Sequence, residues 1–228
     1  MMKNIISIFV IGCAVLLSCQ PPSETIGTEC SFLLPEAKFI RSLNKGDQSS
    51  VVENNRLTIR SDAKTDYFND PDGTQYGNAP MLLAEVDNTR PFTFTAKLTP
   101  QLKVTYDAGA LYVFSSNTLW QKFAFEKDEQ GRTRIVTVRT NGTSDDNNHE
   151  VIQQESVYLR ISSDTKTIGF YFSLDGTVWN LARLYKNEYP AKIGVGVSAQ
   201  SPLGEGNVTY FDECSLTDQS IKDFRSGV

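Results

Sequence analysis

The chain is poor in the residues that most often do chemistry. Among 228 residues it has one histidine, four cysteines, two tryptophans and three methionines. The lone histidine, His149, lies in a polar stretch and reads as solvated, so Ser-His or Cys-His nucleophilic catalysis finds no support. Basic charge is also scarce, with 22 Lys and Arg against 27 Asp and Glu for a net charge of −5. The acidic side chains are dispersed and no basic stripe appears, which argues against nucleic acid as a partner. No apolar run reaches the ~20 residues that a bilayer-spanning helix needs. No stretch carries a sustained 3.6-residue apolar period, so the chain does not read as helical.

What is present begins with an export signal. One positive charge, Lys3, precedes an apolar run from Ile5 to Leu17 broken only by Ser7 and Gly12. The run ends Leu16-Leu17-Ser18-Cys19, which resembles the lipobox of bacterial lipoproteins. That resemblance implies removal of residues 1–18 and lipidation of Cys19, which would hold the chain to a membrane. Gln20 follows where Asp often marks inner-membrane retention, so the cell envelope, and its outer membrane in particular, is the expected location. Residues 19–29 are polar and Pro-rich and read as a tether, leaving 30–228 as one domain. Lys3 is the one charged residue lost with the signal, so the mature chain has 21 basic and 27 acidic residues, net −6. Cys13 leaves with the signal and Cys19 takes lipid, so Cys30 and Cys214 remain. First and last strands are often neighbours in antiparallel sandwiches, so a Cys30–Cys214 disulfide is expected, with two buried thiols as the alternative.

From Arg56 onward, eleven short β segments, the last at Asn207–Leu216, alternate with turn signals such as Asp72-Gly73, Gln130-Gly131, Asn141-Gly142 and Asp175-Gly176. Eleven strands without helices predict an all-β sandwich of two antiparallel sheets. The polar segment after Leu216 reads as peripheral, and Ser144–Glu150 as a loop holding a solvated His149.

Alternation within strands sorts side chains by face. In Trp120–Glu126, Phe123 and Phe125 face one way, and Trp120, Lys122, Ala124 and Glu126 the other. In Val157–Ile161 the polar face carries Tyr158 and Arg160; in Ile168–Leu174 it carries Tyr171 and Ser173; in Ile193–Gln200 it carries two glycines, Ser198 and Gln200. A merely solvated face would account for polarity. The mixture of flat aromatics with planar hydrogen-bonding groups is what a sugar ring and its hydroxyls require. The expected ligand is therefore a glycan or other polyol. Trp120, Tyr158 and Tyr171 would stack on it; Lys122, Glu126, Arg160, Ser173 and Gln200 would hydrogen-bond to it; Asp107 and Asp175 would shape the rim.

Several motifs then resemble one family in order. They are Thr65-Asp66-Tyr67-Phe68, Tyr106-Asp-Ala-Gly-Ala-Leu111, Trp120-Gln-Lys122 with Glu126, Thr143-Ser-Asp145, Tyr158-Leu-Arg160, Ser173-Leu-Asp175-Gly176 with Trp179 and Arg183, and Ser198-Ala-Gln-Ser-Pro202 to Phe211. The family is a domain-of-unknown-function group of concanavalin-A-like lectin/glucanase sandwiches whose named member is the fungal regulation-of-enolase protein. The resemblance spans residues 56–216 and implies a jelly roll, but no established activity. Asp146 stands where the family usually has Trp.

Retaining glucanases of this fold place Glu-x-Asp-x-Glu on one strand, whereas Glu126-Lys-Asp128-Glu-Gln130 lacks the last acid. Glycoside hydrolysis is therefore the alternative function, with Glu126 and Asp107 as the candidate carboxylates. A structural lipoprotein that binds a protein partner through its polar face is a third. Asp66, Asp70 and Asp72, and likewise Asp145 and Asp146, do not follow a calcium-loop spacing, so no metal or other cofactor is expected.

Overall fold

A computed structural model describes residues 26–228. The signal segment, Cys19 and most of the tether lie outside them. Two large antiparallel sheets form a jelly-roll sandwich. The first runs, in spatial order, β1 (Thr28–Leu34), β2 (Ala37–Leu43), β7 (Met81–Asp87), β16 (Lys192–Gln200), β9 (Ala108–Ser116), β10 (Leu119–Lys127), β11 (Thr133–Asn141), β12 (Thr143–Val151). The second runs β15 (Asn180–Lys186), β14 (Thr167–Ser173), β13 (Val157–Ser163), β8 (Phe92–Pro100), β17 (Gly206–Thr217), β4 (Arg56–Asp62), β3 (Ser50–Glu53). A small hairpin of β5 (Tyr67–Asn69) and β6 (Gln75–Gly77) stands apart from both.

The apolar faces read from alternation meet between the sheets. Phe123 and Phe125 from β10 pack there with Phe94, Leu159, Phe170 and Phe211. Phe123 stacks on Phe170 with ring centroids 4.9 Å apart. β10 also packs on its other side: Trp120 and Ala124 join Tyr67, Tyr112 and Phe114 in a second apolar cluster on the outer face of the eight-stranded sheet. The roof of that cluster is the segment carrying β5 and β6. Asn44 holds it down, its side-chain amide donating to the carbonyls of Gly77 at 3.0 Å and Ala79 at 2.9 Å. Asn69 donates to the carbonyls of Asn117 and Gly142, both at 3.0 Å.

Three expectations are corrected. The polar residues after Thr217 are not peripheral: they cross the outer face of the seven-stranded sheet. Ile221 N donates to Ser162 Oγ at 3.0 Å, and Tyr171 donates its hydroxyl to Phe224 O at 2.8 Å. Ser144–Glu150 is no loop but lies within β12, paired to β11 from Asn141↔Thr143 to Arg134↔Val151. His149 there is half-buried, its Nε2 2.9 Å from Thr137 Oγ1. The expected Cys30–Cys214 disulfide is not formed, and both residues are free thiols. The first and last strands lie in different sheets rather than side by side. Cys30 Sγ contacts Phe39 O of its own hairpin at 3.8 Å, while Cys214 packs into the inter-sheet core.

Candidate functional site

Of the ten residues expected on one binding face, Asp107 is buried ahead of β9 and the other nine divide between the two outer surfaces of the sandwich. Trp120, Lys122, Glu126 and Gln200 project from the eight-stranded sheet; Tyr158, Arg160, Tyr171 and Ser173 come from the seven-stranded one, with Asp175 in the turn after it. Alternation identifies the outward side of each strand but not the sheet to which the strand belongs.

The second set is consumed by the protein's own structure. Arg160 lies 3.5 Å over the Trp179 ring and donates to Gly227 O at 3.0 Å. Tyr171 is fully buried beneath the C-terminal segment. Gly227 has a φ of 80°, and a side chain there would collide with Tyr171 and Trp179. Tyr158 donates to Glu213 at 3.0 Å. Asp175 Oδ1 accepts from Ser173 Oγ and from the backbone N–H groups of Thr177 and Val178, an Asx turn that holds its carboxyl far below the usual carboxylate range.

Trp120 is also withdrawn. It is 0 % exposed, its indole donating to Asn117 O at 3.2 Å while Tyr67 covers it edge-on at 5.8 Å. It is the floor of a core, not a stacking platform. The glycines of β16 do not open space on that face either: a side chain at Gly194 would strike Leu83. Asp107 is fully buried and cannot pair with Glu126. One of its oxygens accepts the backbone N–H of Lys103 at 3.0 Å and Val104 at 2.9 Å, the other the Ser201 hydroxyl at 2.6 Å.

Lys122, Glu126 and Gln200 do meet. They form the floor of a cleft of about 580 Å³, walled by Phe68 and Tyr76 from the β5–β6 hairpin, Tyr106 before β9, Val136 and Val138 of β11, and Asp146 of β12. Pairing of Lys122 with Val138, and of Val138 with Asp146, sets three adjacent strands side by side across it. Lys122 is 3 % exposed and fully engaged: it donates to Tyr67 O at 3.0 Å and Gln200 Oε1 at 3.1 Å, with Asp66 Oδ1 at 3.5 Å. Gln200 in turn donates to Tyr106 O at 3.3 Å.

Glu126 differs from every other polar group on the floor. It is 7 % exposed, and among the described residues its carboxyl makes no hydrogen bond or ion pair. Burial pushes its pKa up to about 8, opposed by Lys122 and reinforced by the charges of Asp66, Asp146 and Glu129. At neutral pH it is therefore mainly a neutral acid aimed into the cleft, able to donate or accept a hydrogen bond.

Tyr106 and Tyr76 supply the exposed aromatic surface that Trp120 does not, at 38 % and 47 % exposure. Tyr106 has a φ of 68°, a left-handed conformation costing a bulky residue about 1–3 kcal/mol. Its backbone is clamped by Lys127 O and Gln200 Nε2, so its ring stays at the cleft mouth. Tyr106, Asp66, Phe68 and Asp146 all stand in or next to the motifs read from the sequence, but no periodicity marks them as cleft walls. A larger and more open depression of about 720 Å³ lies beside Arg56, Lys97, Asp212 and Glu213. Arg56 there pairs with Asp212 at 2.8 Å, Glu213 accepts from Tyr158, and none of its charged side chains is buried.

The sequence matches the family described as "Protein of unknown function (DUF1349)" over residues 43–219, and the chain belongs to that family. No curated protein matches it. Its fold is similar to a functionally unknown protein of Saccharomyces cerevisiae, with TM-score 0.71 and 26 % identity over 78 % of this chain and 95 % of that one. It is also similar to the GH43 protein BlXynB of Bacillus licheniformis (TM-score 0.58, 15 % identity, 75 % of this chain) and to Bacteroides ovatus xyloglucan PUL GH43B (TM-score 0.61, 15 % identity, 83 % of this chain). The chain spans only 35 % and 38 % of those two enzymes, respectively.

Proposed function

We propose that the cleft on the eight-stranded sheet binds a glycan, and that lipid on Cys19 presents it at the cell envelope, at the outer membrane. The observation that carries this reading is Glu126, a buried carboxyl without a protein partner at the base of an aromatic-edged cleft. Its oxygens open onto the cleft without a protein partner, so a ligand hydroxyl or amide can replace water there. Tyr106 and Tyr76 offer ring faces to the apolar side of a pyranose, and Gln200, Lys122 and Glu126 lie below them for its polar substituents. Similar sandwiches occur within GH43 proteins, one of them described by a xyloglucan locus, which supports a setting in polysaccharide use. The fungal regulation-of-enolase likeness adds a family context without a ligand.

Calorimetric titration of the full chain in detergent against plant, host and bacterial oligosaccharides tests this. Binding that weakens roughly three- to tenfold in Tyr106→Ala, with the fold intact, is the expected result. Binding to no oligosaccharide of the panel would overturn it.

Hydrolysis is the second reading, favoured by the raised pKa of Glu126, because a general acid must hold its proton near neutral pH. Its companion carboxylate would be Asp66 or Asp146, both on the cleft wall, since the oxygens of Asp107 are occupied. Reducing ends released by the wild type and not by Glu126→Gln would establish it.

A further inference from the structure

The charges around the cleft restrict the kind of glycan that fits. Four carboxyl groups line it, those of Asp66, Asp70, Glu126 and Asp146, against two ammonium groups, Lys64 and Lys122. Of the two cations only Lys122 reaches the floor, and it already serves three oxygens, from Tyr67, Gln200 and Asp66. Arg134, opposite Glu126 across the β10–β11 pair, is taken by Asp128 at 3.3 Å. Glu126, more than nine-tenths buried, thus faces the cleft without an ion-pair partner, while Asp146 of β12 lines the same cleft, exposed. Among the described residues no three acidic, histidine or cysteine side chains converge closely enough to hold a metal ion. The excess of carboxyl groups is therefore not arranged as a cation cage, and an N–H-bearing ligand group suits it better. The exposed rings of Tyr76 and Tyr106 favour the same partner, because a cation is attracted to an aromatic face.

We propose that the cleft selects a glycan containing an unacetylated amino sugar, with its ammonium group seated between Glu126 and Asp146 under the Tyr106 ring. The inference rests on the glycan reading above and narrows it to one substituent. An ammonium offers three N–H donors. It would satisfy the Glu126 carboxyl and draw it toward its charged form, since a positive neighbour favours the carboxylate. An N-acetyl group in the same place would carry one N–H donor and no charge, and so would meet the carboxyl groups less well. A uronic acid would add a further negative group beside Asp66, Asp70 and Asp146.

The experiment compares three tetrasaccharides of the same β-1,4 backbone, namely the glucosamine, N-acetylglucosamine and glucose forms, by calorimetry against the full chain near neutral pH. The glucosamine form is expected to bind about tenfold or more tightly than either of the others, a difference of about 1.4 kcal/mol. Glu126→Gln is expected to erase that preference. Because Glu126 is buried and its variant could disturb the fold, Asp146→Asn serves as a second probe at an exposed position, expected to reduce the preference several-fold. Equal affinity for all three sugars would overturn the amino-sugar assignment while leaving the glycan reading in place. Preference for the acetylated or the neutral form would overturn it in the same way. If none of the three binds, the amino-sugar assignment falls as well, and the wider oligosaccharide panel decides the glycan reading separately.

Discussion

The two outer faces of the sandwich are built from the same alternating pattern and end in opposite states. On the seven-stranded sheet, Arg160, Tyr171 and Ser162 are each met by the chain itself, through Gly227, Phe224 and Ile221 of the C-terminal segment. On the eight-stranded sheet, the β5–β6 roof covers Trp120 and Tyr112 but stops short of Glu126, which stays without a partner. A polar strand face thus shows only that something polar must meet it. Whether that is solvent, the protein or a ligand depends on the segments that cross it. What distinguishes the two faces is a carboxyl left without a protein partner, not an aromatic ring.

The largest test of that contrast is Trp120→Ala. Were Trp120 a stacking platform, its loss would leave stability unchanged. As the centre of the second apolar cluster it is instead expected to cost about 3–5 kcal/mol, a fall in melting temperature on the order of 10 °C. An unchanged melting temperature with lost glycan binding would return Trp120 to the ligand site.

Glu126→Gln comes next and depends on pH. In the unfolded chain the carboxyl titrates near its ordinary value of 4.5; in the folded protein it does so at about 8. Between those values the folded state holds a proton that the unfolded state has lost, so the contribution of Glu126 to stability declines as pH rises through this window. A glutamine does not titrate. The melting temperature of Glu126→Gln relative to wild type is therefore expected to climb from pH ~5 to pH ~8 and to level off above it. A difference flat across that range would mean that Glu126 is solvated and charged, removing the central feature of the cleft.

Arg160→Ala separates the two faces directly. It removes a guanidinium stacked on Trp179 and its hydrogen bond to the C-terminal segment, for an expected loss of about 1–3 kcal/mol. Glycan affinity is expected to stay unchanged, because Arg160 is on the sheet opposite the cleft. A loss of affinity without a loss of stability would show that the C-terminal face, not the cleft, is the binding surface.

These tests also mark how far the residues alone could be read. All eleven segments read as strands are strands, because their apolar residues repeat at the pleat period against a common core. β12 carries no legible signal, since Thr143–Val151 is an exposed edge strand in which Ser144 alone is buried and its backbone pairing leaves no side-chain pattern. β5 and β6 are three residues each, too short to show a period. For the site, alternation put Lys122, Glu126 and Gln200 on the outward side correctly. It could not show that Asn44 and Asn69 would fasten a roof over Trp120, or that the tail would cover Arg160. Both depend on contacts between residues far apart in sequence.

Tyr106 gives the smallest effect on stability and the finest separation of the two roles. It is a bulky residue held at a φ of 68° with its ring at the cleft mouth. Glycine adopts that conformation without a Cβ penalty but gains freedom in the unfolded chain, so the two effects of Tyr106→Gly on stability largely cancel, to within about 1 kcal/mol. Tyr106→Ala keeps the strained backbone without the ring and is expected to be the less stable of the pair. Both remove the same aromatic surface, and stacking on an aromatic ring contributes about 0.5–1.5 kcal/mol, so both should weaken glycan binding by roughly three- to tenfold. The pattern expected by calorimetry and thermal melting is equal loss of affinity with unequal stability. Affinity that instead followed stability across the two variants would mean that Tyr106 braces the loop rather than meeting the ligand.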